Sequence, residues 1–453
     1  MSYSQGSIPA LIELLEHVFE DLDVSVSTDQ LLSIAGIILN AMSAYTRHYH
    51  NLEHVFNFSD PDDPIVHLAA LFHDIVYFQV DNGFYKELEP IIDLFIRRDS
   101  GHFYLTEKFQ PEYKIITIIE KIFEVKPGQE ITISSGLNEF LSTLVMVKLL
   151  TSIVPEIYLI KAAICIEATI PFRGRNDYGL THFEVLHNLL TELCLENKID
   201  CQSLNLQETL IRAVVFSNKD VEAFADRDVG KFLENTWKLL PESNISLRSR
   251  GIYTIREYRM ALQKMDSFLS NLKAEHIFSC YIDTPPQDEF NRMVEQARKN
   301  LLTSMIYLRI KLVASVLLEA LANFSGGDAP LSLFAGDLPK PAEIAKTLED
   351  FLPLLPIPLF INPETDDVYR LLEIGRTGEN SFDSKNSPLS LFMYKSIDKN
   401  ETERIYNYAL EYIEGKINTE DFLAKFPSAV LAAVVKGCAS IAITRRNLLL
   451  SLI

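Results

Sequence analysis

The sequence predicts an all-α protein, because apolar residues recur at three- and four-residue spacing along most of its 453 residues. Two further observations support this class. Short polar or proline-containing stretches separate the periodic runs, and the alternation typical of strands is rare. Gln129 to Ser134 is the one short strand candidate, and it does not justify a sheet. We expect a helical bundle with a C-terminal helical extension.

The individual helices follow from this spacing and from capping residues. Thr28 or Asp29 would cap the second helix, and Asp62 or Asp63 with Pro64 would open the third. The first four predicted helices cover 8–22, 28–48, 64–80 and 85–98. The later ones cover 112–124, 136–150, 155–169, 180–197, 205–216, 220–240, 253–274, 286–324, 341–352, 400–414 and 419–452, the last broken near Pro427.

Glycine and proline mark the boundaries between regions. They concentrate after the long helix at 286–324, and a loop-rich stretch follows at 352–395. We therefore predict three regions: a helical domain at 1–245, a helical extension packed on it at 246–324, and a loop-rich, then helical region at 325–453. The last region has no cluster of residues that indicates chemistry.

Composition limits the classes of partner. With 47% hydrophobic residues and a mean hydropathy of +0.07, the chain can form a substantial core. A net charge of −20 disfavours nonspecific binding to nucleic acid or to an anionic membrane. The five cysteines have no CxxC spacing, which favours free thiols in a reducing cytosol. The start of the chain does not resemble a signal peptide.

We expect no apolar run of this chain to span a bilayer. The nearest candidate, Ala429 to Ile443, is interrupted by Lys436. We therefore predict a cytoplasmic protein that does not bind membranes; whether it forms a homo-oligomer is left open.

The most informative residues are His50 and His54, followed by the adjacent pair His73 and Asp74. On a helix, residues four apart lie on the same face, one turn from each other. The second pair follows the apolar run 68–72, where a charged aspartate is costly to bury without a partner. A bound cation would be such a partner. The pattern predicts a metal site between two helices and therefore hydrolytic chemistry.

A further ligand should come from downstream. Asp220 follows the apolar run 213–216 and is predicted to start a helix, where it could point inward. The alternative is an acid in the first turn that interacts with the helix dipole. Asp226 and Asp228 fit a solvated face better.

These residues resemble the HD-domain metal-dependent phosphohydrolases. The resemblance rests on Tyr49-His50-Asn51-x-x-His54, followed by Leu68-Ala-Ala-Leu-Phe-His73-Asp74. It is closest to the branch shared with the cyclic-nucleotide phosphodiesterases. It is strongest over residues 40–80 and extends to about 240. The implied fold is an HD-domain helical bundle.

The resemblance implies a role for each matching residue. His54, His73 and Asp74 would be metal ligands, with Asp74 bridging where two ions are bound. His50 would be the catalytic proton donor. A distant aspartate closes the site in this family, and Asp220 matches it by context. The metal would be one or two divalent ions of manganese, magnesium, iron, cobalt or zinc.

The sequence also departs from the phosphodiesterase pattern. Tyr77 stands where those enzymes carry another histidine, three residues after the HD aspartate. No equivalent of their purine-binding asparagine and glutamine elements is evident. Specificity for cyclic nucleotides and a firmly held second metal are both in doubt.

Four residues are assigned to substrate binding: Arg47, Asn51, Glu167 and Arg173. Glu167 could orient water or a ligand histidine, and Arg173 or Arg175 could contact a phosphate. The alternative is structural, with Glu167 buried against an arginine and the basic residues lying beyond a helix C-terminus. A solvated helix face would explain Arg47 equally well.

These predictions favour a metal-dependent hydrolase of a small phosphate ester, such as a nucleotide or another phosphomonoester or phosphodiester. One alternative is a noncatalytic sensor or scaffold that retains the HD fold. Another is a diiron oxygenase on the same framework, because histidine and aspartate also suit iron.

Overall fold

The computed structural model describes residues 8–58, 63–106, 114–132, 136–248, 252–336, 346–378, 380 and 382–453. Of the residues it describes, 64% are helical and 3% lie in strands, which confirms the all-α class. The chain forms two compact units. Unit 1 runs to Glu222 and includes Lys273–Glu295, and unit 2 comprises Ala223–Leu272 and Gln296–Ile453. Their limits differ from the three regions that we predicted at 1–245, 246–324 and 325–453.

Unit 1 contains twelve complete α-helices within its described residues. They are α1 Ile8–Asp21, α2 Thr28–Met42, α3 Leu52–Phe58, α4 Pro64–Phe72, α5 Phe78–Asp81, α6 Glu89–Ile92, α7 Lys114–Ile122, α8 Leu137–Leu150, α9 Glu156–Ala168, α10 His182–Leu195, α11 Cys201–Leu204 and α12 Leu206–Asp220. A short 3₁₀ helix covers Ala274–His276.

Helix α9 is the centre of unit 1. Its residues 162–168 are all buried, because almost every position is apolar. A helix that is apolar on all sides is stable only when other helices surround it. Helices α4, α7, α8 and α12 pack against it. This shared packing brings the C-terminal ends of α4 and α12 together.

Capping residues explain where two of these helices begin. The side chain of Ser27 caps α2 and forms a capping box with Gln30. The predicted caps Thr28 and Asp29 are therefore wrong by one or two positions. Asp63 caps α4 through the backbone N–H groups of Ile65 and Val66, as predicted. The alternative cap, Asp62, lies outside the described residues.

Several predicted helices of unit 1 are shorter than expected. The predicted helix 28–48 ends at Met42, and 64–80 ends at Phe72. The predicted helix 85–98 contains only the short helix α6 and then strand β1 Ile96–Asp99. The periodicity of short apolar runs cannot distinguish a helix from other buried segments.

Strand β1 pairs antiparallel with β2 His102–Leu105. The turn between them contains Ser100 and Gly101, at φ 50° and 86°. Two consecutive residues with positive φ are typical of a type I′ hairpin turn. The predicted strand at 129–134 is reduced to one bridge, between Glu130 and Tyr104, and its last two residues lie outside the described chain.

Unit 2 contains the remaining α-helices. They are α13 Val229–Trp237, α14 Leu239–Ser243, α15 Ile255–Asn271, α16 Gln287–Phe324 from its residue Gln296 onward, α17 Leu331–Ala335, α18 Asp367–Glu373, α19 Pro388–Ser396, α20 Lys399–Ile413, α21 Thr419–Leu423, α22 Ser428–Ile441 and α23 Arg446–Leu450. Short 3₁₀ helices cover Glu222–Ala225 from its residue Ala223 onward, Ile245–Arg248, Leu348–Phe351 and Ile443–Arg445.

Prediction in unit 2 was accurate for α15, α16 and α20. The predicted break of 419–452 near Pro427 is confirmed, because α21 ends at Leu423 and Pro427 directly precedes α22. A second break, between α22 and α23, was not predicted, and the predicted helix 220–240 begins as a 3₁₀ helix. Helices α18 and α19 lie in the stretch predicted to be loop-rich, 352–395. Of the predicted helix 341–352, residues 341–345 lie outside the described chain.

One helix matters for the membrane prediction. By length and composition alone α16 could cross a bilayer, but 78% of its most apolar window is buried. The bent pair Ser428–Ile441 and Ile443–Leu450 passes the same test only if it is counted as one span. The prediction that no run is long enough named 429–443 as the nearest candidate and did not include the apolar window in α16. Burial of this kind is typical of a core helix.

Candidate metal centre

Three segments of unit 1 bring four potential ligands together. His54 lies in the first turn of α3, and its backbone N–H donates to Asn51 Oδ1 at 3.2 Å. His73 and Asp74 directly follow the last residue of α4, and Asp220 is the last residue of α12. The ligands therefore depend on where three helices begin or end.

The donor atoms of His54, His73 and Asp220 all lie within 4.8 Å of one another, and Asp74 lies beside the two histidines. His54 Nε2 lies 3.3 Å from Asp220 Oδ1 and 3.8 Å from Asp74 Oδ2. His73 Nε2 lies 3.0 Å from Asp74 Oδ2 and 3.9 Å from Asp220 Oδ1. Two imidazole nitrogens and two carboxylate oxygens are a donor set that suits divalent manganese, iron, cobalt or zinc. The residues present therefore fit a metal ion.

The protein fixes which nitrogen of His73 faces the site. Nδ1 lies 2.8 Å from the carbonyl oxygen of Ala70. Because a carbonyl can only accept, Nδ1 must carry the hydrogen and donate it. This bond orients the ring and directs Nε2 towards the two aspartates, an arrangement common for metal-bound histidines.

Strong electrostatic interactions join the same residues. Burial alone would lower the pKa of His73, but Asp74 and Asp220 raise it to about 9. Burial alone would raise the pKa of Asp74, but His73, His50 and His54 hold it well below its usual range. The carboxylates thus attract positive charge to Nε2 of His73, where a proton and a metal ion would compete.

The position of Asp220 differs from the prediction. It ends α12 instead of starting a helix. The prediction failed because the apolar run 213–216 belongs to a helix that continues to Asp220. The alternative explanation, a first-turn acid interacting with the helix dipole, is also wrong. Asp220 nevertheless meets His54 and His73.

His50 lies beside the donor set and outside α3. Because Asn51 caps a helix that begins at Leu52, the prediction that His50 and His54 share one helical face is wrong. Their ring centroids are still 6.2 Å apart. The ring of His50 also packs against Tyr77, with centroids 4.2 Å apart. The half-buried imidazole of His50 is near enough to the Asp74 carboxylate to help lower its pKa.

The guanidinium group of Arg47 donates hydrogen bonds to acceptors within the protein. Its Nε and NH2 donate to Asp81 at 3.0 and 2.6 Å. NH1 and NH2 donate to the carbonyl oxygens of Asp74 and Ile75 at 2.6 and 3.3 Å. Arg47 therefore holds the backbone of a predicted metal ligand. These contacts favour a structural role over the predicted substrate contact.

Asn51 also has a structural role. Its Oδ1 caps α3 through His54, and its Nδ2 donates to the carbonyl oxygen of His48 at 3.1 Å. The side chain fixes the start of the helix that carries one ligand. Such a contact explains an asparagine at this position without a substrate.

Glu167 and Arg173 form a buried pair. Glu167 is 3% exposed, and its carboxylate accepts from Arg173 NH1 at 2.5 Å and from His182 Nε2 at 2.8 Å. Burial alone would raise the pKa of Glu167, but Arg173 and His182 lower it to about 2. The structural alternative considered for Glu167 fits these contacts. Arg173 remains 27% exposed at its side chain.

Glu139 was missed by sequence reasoning. It lies in the first turn of α8, and its charge interacts with Asp74, Asp220 and Arg173. Burial, aided by the two aspartates, raises its pKa to about 7. In the sequence it is indistinguishable from an ordinary first-turn acid. Only the three-dimensional arrangement brings its carboxyl group near enough to interact with the charges of these residues.

Comparisons with family models, curated proteins and solved structures found no match for this chain.

Proposed function

We propose that unit 1 is an HD-domain-like, metal-dependent hydrolase of a small phosphate ester, such as a nucleotide or another phosphomonoester or phosphodiester. One observation carries the proposal: His54, His73, Asp74 and Asp220 meet from three segments, with donor atoms suited to a divalent metal. Buried polar groups of this kind cost stability, so a folded scaffold has no physical need for them.

These four residues would hold the ion, with Asp74 shared if a second ion binds. When bound, the metal lowers the pKa of water and offsets negative charge on the phosphate. Ala70 orients His73 through its carbonyl oxygen, which preorganises the ligand before the metal arrives.

Other residues would handle protons and the phosphate. His50 is the candidate to protonate the leaving oxygen, because its ring lies at the edge of the donor set. Arg173, held by Glu167, is the candidate to contact the substrate phosphate.

The test combines metal content with activity. Wild type, His73→Ala, Asp74→Ala and His50→Ala are purified gently and their metal is measured by elemental analysis. Each protein is then assayed against phosphomonoesters, phosphodiesters and nucleotides with several divalent metals. His102→Ala is the control, because that side chain is 58% exposed and pairs with Glu130.

We expect His73→Ala and Asp74→Ala to lose both metal and activity. His50→Ala should keep the metal but lose about 10²- to 10⁴-fold in turnover. If all three variants hydrolyse these substrates as well as the wild type does, the proposal fails. A protein without metal would favour a scaffold, and oxygen uptake with a diiron absorption band would favour an oxygenase.

A further inference from the structure

A proline-rich apolar segment of unit 2, residues 352–360, lies on the surface. It joins the 3₁₀ helix Leu348–Phe351 to the residues before α18 and reads Leu-Pro-Leu-Leu-Pro-Ile-Pro-Leu-Phe. Three of its residues are prolines and three precede a proline, and both positions favour polyproline II geometry. Leu352 has φ −78° and ψ 143°, which are values of that conformation.

The burial pattern of the segment has a period of three. Leu352, Leu355 and Pro358 are half-buried, whereas the six residues between and after them are exposed. A polyproline II helix has three residues per turn, so one face lies on the protein and two apolar ridges face outward. Leu354 and Leu359 are 102% and 107% exposed.

The backbone of the segment is also available. Within the described parts of the chain, the N–H groups of Leu354, Leu355 and Ile357 make no backbone hydrogen bond. The polyproline II conformation has no internal hydrogen bonds, which makes it a common ligand for other proteins.

Both ends of the segment are anchored. Leu348, in the preceding 3₁₀ helix, packs closely against Gly437 of α22. A Cβ added at Gly437 would lie only 2.5 Å from Cδ1 of Leu348. Ile361 follows the segment and is 5% exposed. These two anchors restrict the conformations that the exposed residues can adopt before a partner binds, which lowers the entropy cost of binding.

The charge around the segment favours one kind of binding partner over others. Glu349, Asp350 and Glu364 flank the segment and are exposed. With a net charge of −20, the chain would repel a second copy of itself or an anionic membrane. A groove with a basic rim is the complementary surface.

We infer that residues 352–360 are a docking surface for a partner protein that binds polyproline II segments in an aromatic-lined groove with a basic rim. Leu354 and Ile357 form one contacting ridge, and Pro353 and Pro356 form the other. The exposed Leu359 and Phe360 lie in the turn that follows, which the bond from the N–H of Ile361 to the carbonyl oxygen of Pro358 closes at 3.0 Å. This interaction is independent of the candidate metal centre and of the proposed hydrolysis.

The test titrates the full chain into isotope-labelled domains of the SH3, WW and EVH1 classes that are chosen for a basic rim around the aromatic groove. NMR shifts of the groove residues report binding. At least one class should bind, with a Kd of about 10–500 µM. Leu354→Ser/Leu359→Ser should weaken binding about tenfold or more, because it removes two exposed apolar side chains. Ile374→Ser is the control, since Ile374 is 64% exposed in the same unit but lies outside the segment.

Circular dichroism verifies that each variant folds. Pro356→Ala is the second variant: it keeps every leucine, loosens the polyproline II conformation and should weaken binding severalfold. The inference is overturned if no class binds, or if the segment variants bind like the control. It is also overturned if the wild type instead forms a dimer or floats with phosphatidylglycerol vesicles, and the segment variants abolish that association.

Discussion

Replacing Glu120 with glutamine should stabilise the protein above neutral pH. Glu120 lies on α7 and is 8% exposed, and among the described residues its Oε1 has no hydrogen-bond partner. Burial raises its pKa from 4.5 to about 7. A buried acid of this kind is more stable when neutral, and glutamine has nearly the same shape without the charge.

The sign of the effect follows from proton binding. Between these two pKa values the folded protein keeps a proton on Glu120 that the unfolded chain has lost, so the free energy of unfolding falls as pH rises. The penalty is complete above the folded pKa. A difference of about 2.5 pKa units corresponds to at most about 3.4 kcal/mol. Solvent screening reduces this, and we expect a gain of about 1–2 kcal/mol at pH ~8.

Urea unfolding followed by far-ultraviolet circular dichroism measures this gain, at pH ~5 and pH ~8 and constant ionic strength. Glu124→Gln is the matched control, because Glu124 is an exposed acid just beyond the same helix. The reasoning is refuted if Glu120→Gln gains nothing at the higher pH, or gains equally at the lower one.

Three further predictions concern the candidate metal centre. Asp220→Asn should weaken metal binding about tenfold or more in calorimetric titrations and raise the Tm of the metal-free protein. Asp226→Asn should leave metal binding unchanged and should not raise the Tm, because the Asp226 carboxylate pairs with Lys231 at 2.9 Å. Metal binding near pH 7 should release close to one proton from His73, whose pKa is about 9, seen as a dependence of the binding heat on the buffer's ionisation enthalpy. Asp81→Ala should cost about 3–5 kcal/mol in urea unfolding, because it leaves the fully buried side chain of Arg47 without its carboxylate partner.

The sequence was most informative where the pattern is long or chemically unusual. The periodicity of 286–324 predicted α16 almost to its ends. The periodicity of 28–48 did not predict that α2 ends at Met42. Residues 43–51 instead form a connection in which Arg47 binds the carbonyl oxygens of Asp74 and Ile75. Such an ending depends on partners far along the chain, which no local pattern contains.

The residues of the candidate site also differ in how far the sequence could predict them. The motif identified His54, His73 and Asp74 because their spacing is unusual. Asp220 was found only by context, and its place in the helix was predicted wrongly. Glu139 was not found at all, because an acid in a first helical turn is common. Its interaction with Asp220 exists only after α8 and α12 have both packed on α9.

The helix ends give an independent reason to expect a cation. Asp74 follows the end of α4, and Asp220 is the last residue of α12. A helix C-terminus carries about half a negative charge, so an acid there is unfavourable unless positive charge is nearby. Two such acids at two C-termini form a region of negative charge. A protonated His73 neutralises only part of this charge. Sequences usually break such local rules where function requires it. A divalent ion would remove this repulsion, so Asp220→Asn should stabilise the metal-free protein yet weaken its hold on metal.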